Sequence, residues 1–216
     1  MNLTMEDITG RAPVIAVLTI RRLDDAVPLA RALLAGGLGV LEVTMRTPVA
    51  LAAITRIKTE VAGAVVGAGT VLSPEDLAAA RRAGADFLVS PGSTRRLVEA
   101  ARGQAAPILL GASTASEAMA LLAAGFRHQK FFPAEQSGGA ACLKALHAPL
   151  SDIVFCPTGG ITAANAPAYL ALPNVACVGA SWPAPDAAVQ AGAWGEIEAA
   201  AREAAQLPSS RKATGQ

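Results

Sequence analysis

Apolar positions along this chain change their period repeatedly from one end to the other. Short runs rich in valine, isoleucine and phenylalanine alternate with alanine- and leucine-rich stretches in which apolar residues recur every three to four positions. Glycine, proline or a capping residue marks the joints. The short runs predict strands over residues 14–20, 40–44, 65–69, 87–90, 108–111, 128–132, 153–157 and 175–179. The stretches between them predict helices over 24–35, 48–61, 74–83, 94–102, 113–123, 139–146, 164–170 and 186–206. Strands each followed by a helix predict an α/β chain folded as a single-domain (β/α)8 barrel, the TIM-barrel architecture. A doubly wound open sheet is the alternative that the same alternation allows. No linker-like shift in composition interrupts the pattern, so one domain is expected over 1–208, with 209–216 as a disordered tail.

Several helix ends carry their own signals. Ser73-Pro74 reads as an N-cap followed by proline at the first helical position, with Asp76 adding negative charge to the first turn. Gly36-Gly37, Gly84 and Gly125 stand where a helix stops and a left-handed residue is wanted.

With 216 residues, 52% hydrophobic and 16% charged, the chain can bury one sizeable core and is too apolar for disorder. A formal charge of +1 and scattered basic residues argue against nucleic acid and for a small-molecule partner. Residues 1–9 carry acidic side chains and no long apolar run, so no secretory or transit signal is read there. No stretch reaches the length of a membrane span. Cys142, Cys156 and Cys177 are odd in number, widely spaced and set among apolar residues, a usage that fits reduced thiols in the cytoplasm. No histidine-rich or paired-carboxylate ligand set for a metal is evident.

Two ionisable residues interrupt the apolar strands. Lys130 lies inside His128-Gln129-Lys130-Phe131-Phe132-Pro133, and Glu42 inside Val40-Leu41-Glu42-Val43-Thr44. A strand-end lysine can rest its stem on apolar surface while its ammonium reaches water, whereas a buried amine is the starting condition for Schiff-base chemistry. Strand alternation puts Glu42 on one face with Val40 and Thr44; if that face is inward, the carboxylate enters the barrel. Active sites of such barrels lie at the carboxyl ends of the strands, with a phosphate often held after strands seven and eight. At those positions stand Thr158-Gly159-Gly160-Ile161 and Gly179-Ala180-Ser181, whose glycines admit backbone N–H groups to an anion and whose hydroxyls add donors. Arg46, closing the second strand, offers a planar fork to a carboxylate or phosphate, and Thr70 a hydroxyl after the third. Cys156 is a weaker nucleophile candidate, because neither His128 nor His147 is an evident partner.

Four segments carry a resemblance. Leu41-Glu42-Val43-Thr44-Met45-Arg46-Thr47, Val66-Gly67-Ala68-Gly69-Thr70-Val71, Lys130-Phe131-Phe132-Pro133-Ala134-Glu135 and Cys156-Pro157-Thr158-Gly159-Gly160-Ile161 resemble, in order, the 2-dehydro-3-deoxy-phosphogluconate (KDPG) aldolase family. The resemblance implies a class I aldolase, usually homotrimeric and without metal or cofactor, acting on a phosphorylated keto acid in the last step of the Entner–Doudoroff pathway. Carried over residue by residue, it implies that Lys130 forms the Schiff base with pyruvate and that Glu42 is the general acid/base. Arg46 and Thr70 then hold the pyruvyl carboxylate, and Gly159, Gly160 and Ser181 form the phosphate site. Thr158 favours the gluconate over the galactonate epimer. Gln129, Leu110, Ala180 and Pro183 depart from the family pattern, the last two beside the phosphate loop. The competing readings are an aldolase for the galactonate epimer or for 4-hydroxy-2-oxoglutarate, a phosphate-binding barrel without imine chemistry, and a barrel used as an assembly scaffold.

Overall fold

The computed structural model describes residues 3–102 and 106–208, so the expected tail at 209–216 lies outside the described residues. A short helix α1 (Met5–Thr9) precedes the strands β1 (Val14–Leu18), β2 (Val40–Thr44), β3 (Val65–Gly69), β4 (Phe87–Val89), β5 (Ile108–Ala112), β6 (His128–Phe131), β7 (Val154–Pro157) and β8 (Val178–Ala180). Between them run α2 (Ala26–Ala35), α3 (Ala50–Glu60), α4 (Pro74–Arg82), α5 (Arg95–Ala101), α6 (Ala115–Ala123), α7 (Gly139–His147) and α8 (Ala166–Leu170), and α9 (Asp186–Ala191) and α10 (Trp194–Ala205) follow β8. Ser73 caps α4 as its sequence predicts, its hydroxyl accepting from the Asp76 N–H at 3.1 Å. Among the described residues no helix is long and apolar enough to cross a membrane.

All the strand pairs are parallel. β1 to β7 are neighbours in chain order and β8 lies beside β1, which fits the barrel and not the open sheet with its reversed order. Closure between β7 and β8 rests on two isolated bridges, Phe155 to Val175 and Thr158 to Gly179. The physical reason lies in Pro157. Phe155 donates its N–H to Asn174 and accepts from Ala176, so its backbone faces β8; by alternation Pro157 faces β8 too and has no N–H to give. The two bridges are three steps apart on β7 and four on β8, a bulge that explains why the strand expected at 175–179 is assigned only from Val178.

Three further differences from the sequence expectation have local causes. The helix expected over 186–206 is broken at Gly192, whose φ of 66° ends α9. The helix α1 is only five residues long, too short for a periodic signal, although Thr4 and Asp7 form a capping box that marks its start. Gly37, Gly84 and Gly125 are left-handed, but Gly36 is not; a Cβ on Gly36 would lie 2.5 Å from the Ala201 Cβ, so its role is the close approach of α10 to α2.

Strand alternation divides the core. Val14, Leu41, Val66, Leu110 and Phe155 pack outward against the helices, while Ile15, Val40, Val65, Leu109 and Cys177 fill the barrel. Met5 and Ile8 belong to this inner cluster together with Val40 and Val65, the first residues of β2 and β3, so α1 plugs the amino end of the barrel. Higher up, inward glycines replace the apolar side chains. The Phe87 ring lies over Gly67, where a Cβ would meet it at 2.4 Å, and the chain at Pro91 folds over Gly111 at 2.2 Å. Gly67→Ala should therefore destabilise the fold by about 1–3 kcal/mol, as overpacking does, read as a lower midpoint in urea unfolding. An unchanged midpoint would mean that the Phe87 ring yields without strain.

Candidate active site

Glu42 and Lys130 meet across the barrel interior. They stand on β2 and β6, with three strands between, yet the Lys130 Nζ donates to the Glu42 Oε1 at 3.2 Å. Lys130 is 5% exposed and Glu42 3%, so neither charge has much water to replace its partner. The glutamate faces inward with Val40, as strand alternation predicts. Its carboxylate lies over Gly69, where a Cβ would sit 2.3 Å from Oε1. On the other side the Lys130 Nζ is 5.4 Å from the centre of the Phe132 ring, within reach of a cation–π attraction.

Arg46 and Thr70 also come together, the Arg46 Nε donating to the Thr70 Oγ1 at 3.2 Å. Thr70 has a φ of 61°, an uncommon conformation for a β-branched residue and a cost of about 1–3 kcal/mol that the surrounding structure must offset. Such strain concentrates at sites of function.

A cavity of about 470 Å³ opens at the carboxyl ends of the strands, its wall including Arg46, Phe132, Thr158, Gly159, Gly160 and Ser181. That volume suits a small molecule. Glu42, Lys130 and Thr70 are not on this wall; Phe132, which is, links it to the lysine. The loop after β7 is tied to the loop after β6, with Ala134 N–H donating to Thr158 O at 2.8 Å and Glu135 N–H to Gly159 O at 3.2 Å. Gly159 and Gly160 are both left-handed, with φ of 99° and 74°, a backbone in which successive N–H groups can form an anion-binding concavity. The Thr158 side chain lies over Gly179, whose Cβ would be 2.3 Å from its Oγ1. Cys156 stands apart from the cavity, buried in the inner cluster with its sulfur 3.6 Å from that of Cys177.

The family model described as KDPG and KHG aldolase matches residues 5–200. The chain belongs to this family. It is 48% identical over 203 residues to the 2-dehydro-3-deoxy-phosphogluconate aldolase of Pseudoalteromonas atlantica, covering 94% of each chain. It is likewise 48% identical to the KHG/KDPG aldolase of Escherichia coli K12, over 93% of this chain and 94% of the relative. Among solved structures, a KDPG aldolase of Legionella pneumophila, with pyruvate captured at low pH as a covalent carbinolamine intermediate, superposes with a TM-score of 0.93. Its identity is 42%, over 95% of this chain and all (100%) of that one.

Against the KDPG and KHG aldolase pattern, Gln129 is a departure with a structural explanation. It points away from the cavity, and its amide donates to the carbonyls of Ala118 and Phe126, both at 3.0 Å. Sequence reasoning gave no role to Gly69 or Phe132. Glycines at alternate positions of β3, Gly67 and Gly69, were the available signal, because they leave room on the inner face of that strand for side chains from its neighbours.

Tyr169, the chain's single tyrosine, is buried and donates a short hydrogen bond to Glu135, bracing the loop that precedes α7. Burial first, and then the hydrogen bond to and the charge of Glu135, hold its phenol well above the ordinary range. A raised folded value means that this stabilisation is complete below the ordinary phenol pKa of about 10 and is lost as pH rises through the folded value. Absorbance at the phenolate wavelength should therefore stay flat through pH 10 while circular dichroism shows a folded chain, and should rise only on unfolding. Ordinary titration in the folded chain would contradict the hydrogen bond.

Proposed function

We propose that this chain cleaves 2-dehydro-3-deoxy-6-phosphogluconate to pyruvate and D-glyceraldehyde 3-phosphate as a class I aldolase, with Lys130 as the Schiff-base residue. The observation that carries the assignment of residues is the buried Lys130–Glu42 pair, 3.2 Å apart, next to a cavity whose wall includes the left-handed backbone of Gly159 and Gly160. A buried ion pair is weak evidence for stability, because desolvation opposes the Coulombic gain, and chemistry is the better account of it.

Lys130 attacks the C2 ketone, and loss of water through a carbinolamine gives a protonated imine. The C3–C4 bond then breaks, its electrons passing into the iminium to give a neutral enamine. Glu42 takes the proton of the C4 hydroxyl as the aldehyde forms and departs, and protonation at C3 of the enamine leads to pyruvate after hydrolysis. Arg46 and Thr70 hold the carboxylate, and Gly159, Gly160, Thr158 and Ser181 receive the phosphate end. The E. coli relative carries KHG in its name, which makes 4-hydroxy-2-oxoglutarate the second substrate to compare by kcat/KM. A homotrimer, to be checked by light scattering, and residence in the reducing cytoplasm complete the proposal. Three cysteines outside any disulfide support that compartment.

Incubation with pyruvate and borohydride should add one reduced pyruvyl group, mapped by peptide mass to Lys130. An adduct elsewhere, or none on folded protein, would sink the assignment. Lys130→Met should abolish both adduct and turnover; it leaves the Glu42 carboxylate buried without its partner, so a stability loss of about 3–5 kcal/mol is expected with it. Glu42→Gln should retain imine trapping and lose about 10²–10⁴ in turnover rate. Unchanged turnover would remove Glu42 from the proton transfers.

A further inference from the structure

Thr19, just beyond the end of β1, is a residue to which the mechanism above gives no role, although it lines the cavity. Its hydroxyl lies 3.1 Å from that of Thr44, which is fully buried on β2. Thr44 has a second contact, 2.9 Å from the carbonyl oxygen of Leu18. A carbonyl can only accept, so the single hydroxyl proton of Thr44 is given to Leu18. The proton between the two threonines must then come from Thr19. With that proton spent, Thr19 shows the cavity lone pairs alone.

An acceptor without a donor is ill suited to a phosphate, a carboxylate or a carbonyl, and well suited to an alcohol. Its place in the barrel says which alcohol. β1 lies between β2, which carries Glu42, and β8, which leads to Ser181. On the aldolase reading, from which this inference starts, a substrate fixed at C2 by Lys130 and at its phosphate by the loops after β7 and β8 has its C5 hydroxyl between those two points. We infer that Thr19 accepts a hydrogen bond from the C5 hydroxyl of the phosphorylated substrate, and that the Thr44–Leu18 contact orients it to do so. Thr19 is thus a specificity residue for hydroxylated over deoxy chains.

The test runs the aldol reaction in the direction of addition to pyruvate. D-Glyceraldehyde 3-phosphate supplies the hydroxyl in question, and 3-phosphooxypropanal is the same aldehyde without it. Thr19→Val should lower kcat/KM for the hydroxylated aldehyde by roughly 3- to 10-fold, the range of one net hydrogen bond, and leave the deoxy aldehyde unaffected. Thr19→Ser should restore the preference. Thr44→Val, which changes nothing on the cavity wall, frees the Thr19 proton and should reduce the preference in the same way. Equal losses on both aldehydes, or no loss on either, would overturn the inference. Borohydride trapping of pyruvate, which involves no C5 hydroxyl, should proceed at the unaltered rate in all three variants and shows that each is folded. If the unsubstituted protein itself failed to trap pyruvate, the aldolase reading would fall rather than the role of Thr19.

Discussion

The ion pair between Lys130 and Glu42 is the constraint around which the upper half of the barrel is arranged. Two residues 88 positions apart, on strands that do not touch, place opposite charges 3.2 Å from each other where water is scarce. Neither charge would be tolerable there alone. The pair fits only because neighbouring strands leave space, above all β3, where Glu42 occupies the volume that any side chain at Gly69 would need. The inner face of this barrel therefore carries glycine where the Glu42 side chain must fit, and apolar side chains such as valine, isoleucine and leucine below it.

That asymmetry gives the molecule its direction. At the amino end, α1 adds Met5 and Ile8 to a packed apolar plug. At the carboxyl end, Gly111 and Gly179 admit the chain at Pro91 and the side chain of Thr158, and the cavity opens above them. The charged pair is closed off from below and lies in a setting of low dielectric, where positioned charges act more strongly than in water.

The parts of the site are also held to one another. The loop after β6, the strand of Lys130, donates backbone hydrogen bonds to Thr158 and Gly159 of the loop after β7, and Tyr169 fixes Glu135 of the former loop. A shift of one loop would move the other. The strained Thr70 backbone, which presents the hydroxyl to Arg46, and the Thr19–Thr44 contact extend this order to β1, β2 and β3. Orientation of this kind is worth more to a reaction than any one contact is to stability.

Much of this was legible in the sequence. The alternation of strand and helix determined a parallel α/β architecture, because each strand must bury both faces and each helix one stripe, and local periodicity reports that directly; the strand order that makes it a barrel rather than an open sheet came from the structure. The sequence also marked Lys130 and Glu42, since a charge inside an apolar strand stands out whatever the fold, and the glycine loop after β7; Gly179, read as part of a loop after strand eight, lies instead within β8 under the Thr158 side chain. What lay beyond it depended on contacts between residues distant in the chain. The break in the last helix was missed because a helical period across Gly192 looks continuous, and the short β8 because the bulge opposite Pro157 depends on pairing between strands. The meeting of Lys130 with Glu42, the packing of Glu42 over Gly69, the separation of Cys156 from the cavity and the Thr19–Thr44 contact were decided only by tertiary structure. The reason is that barrel closure, which brings strands two and six face to face, has no local signature: it is set by the register of every strand pair between them.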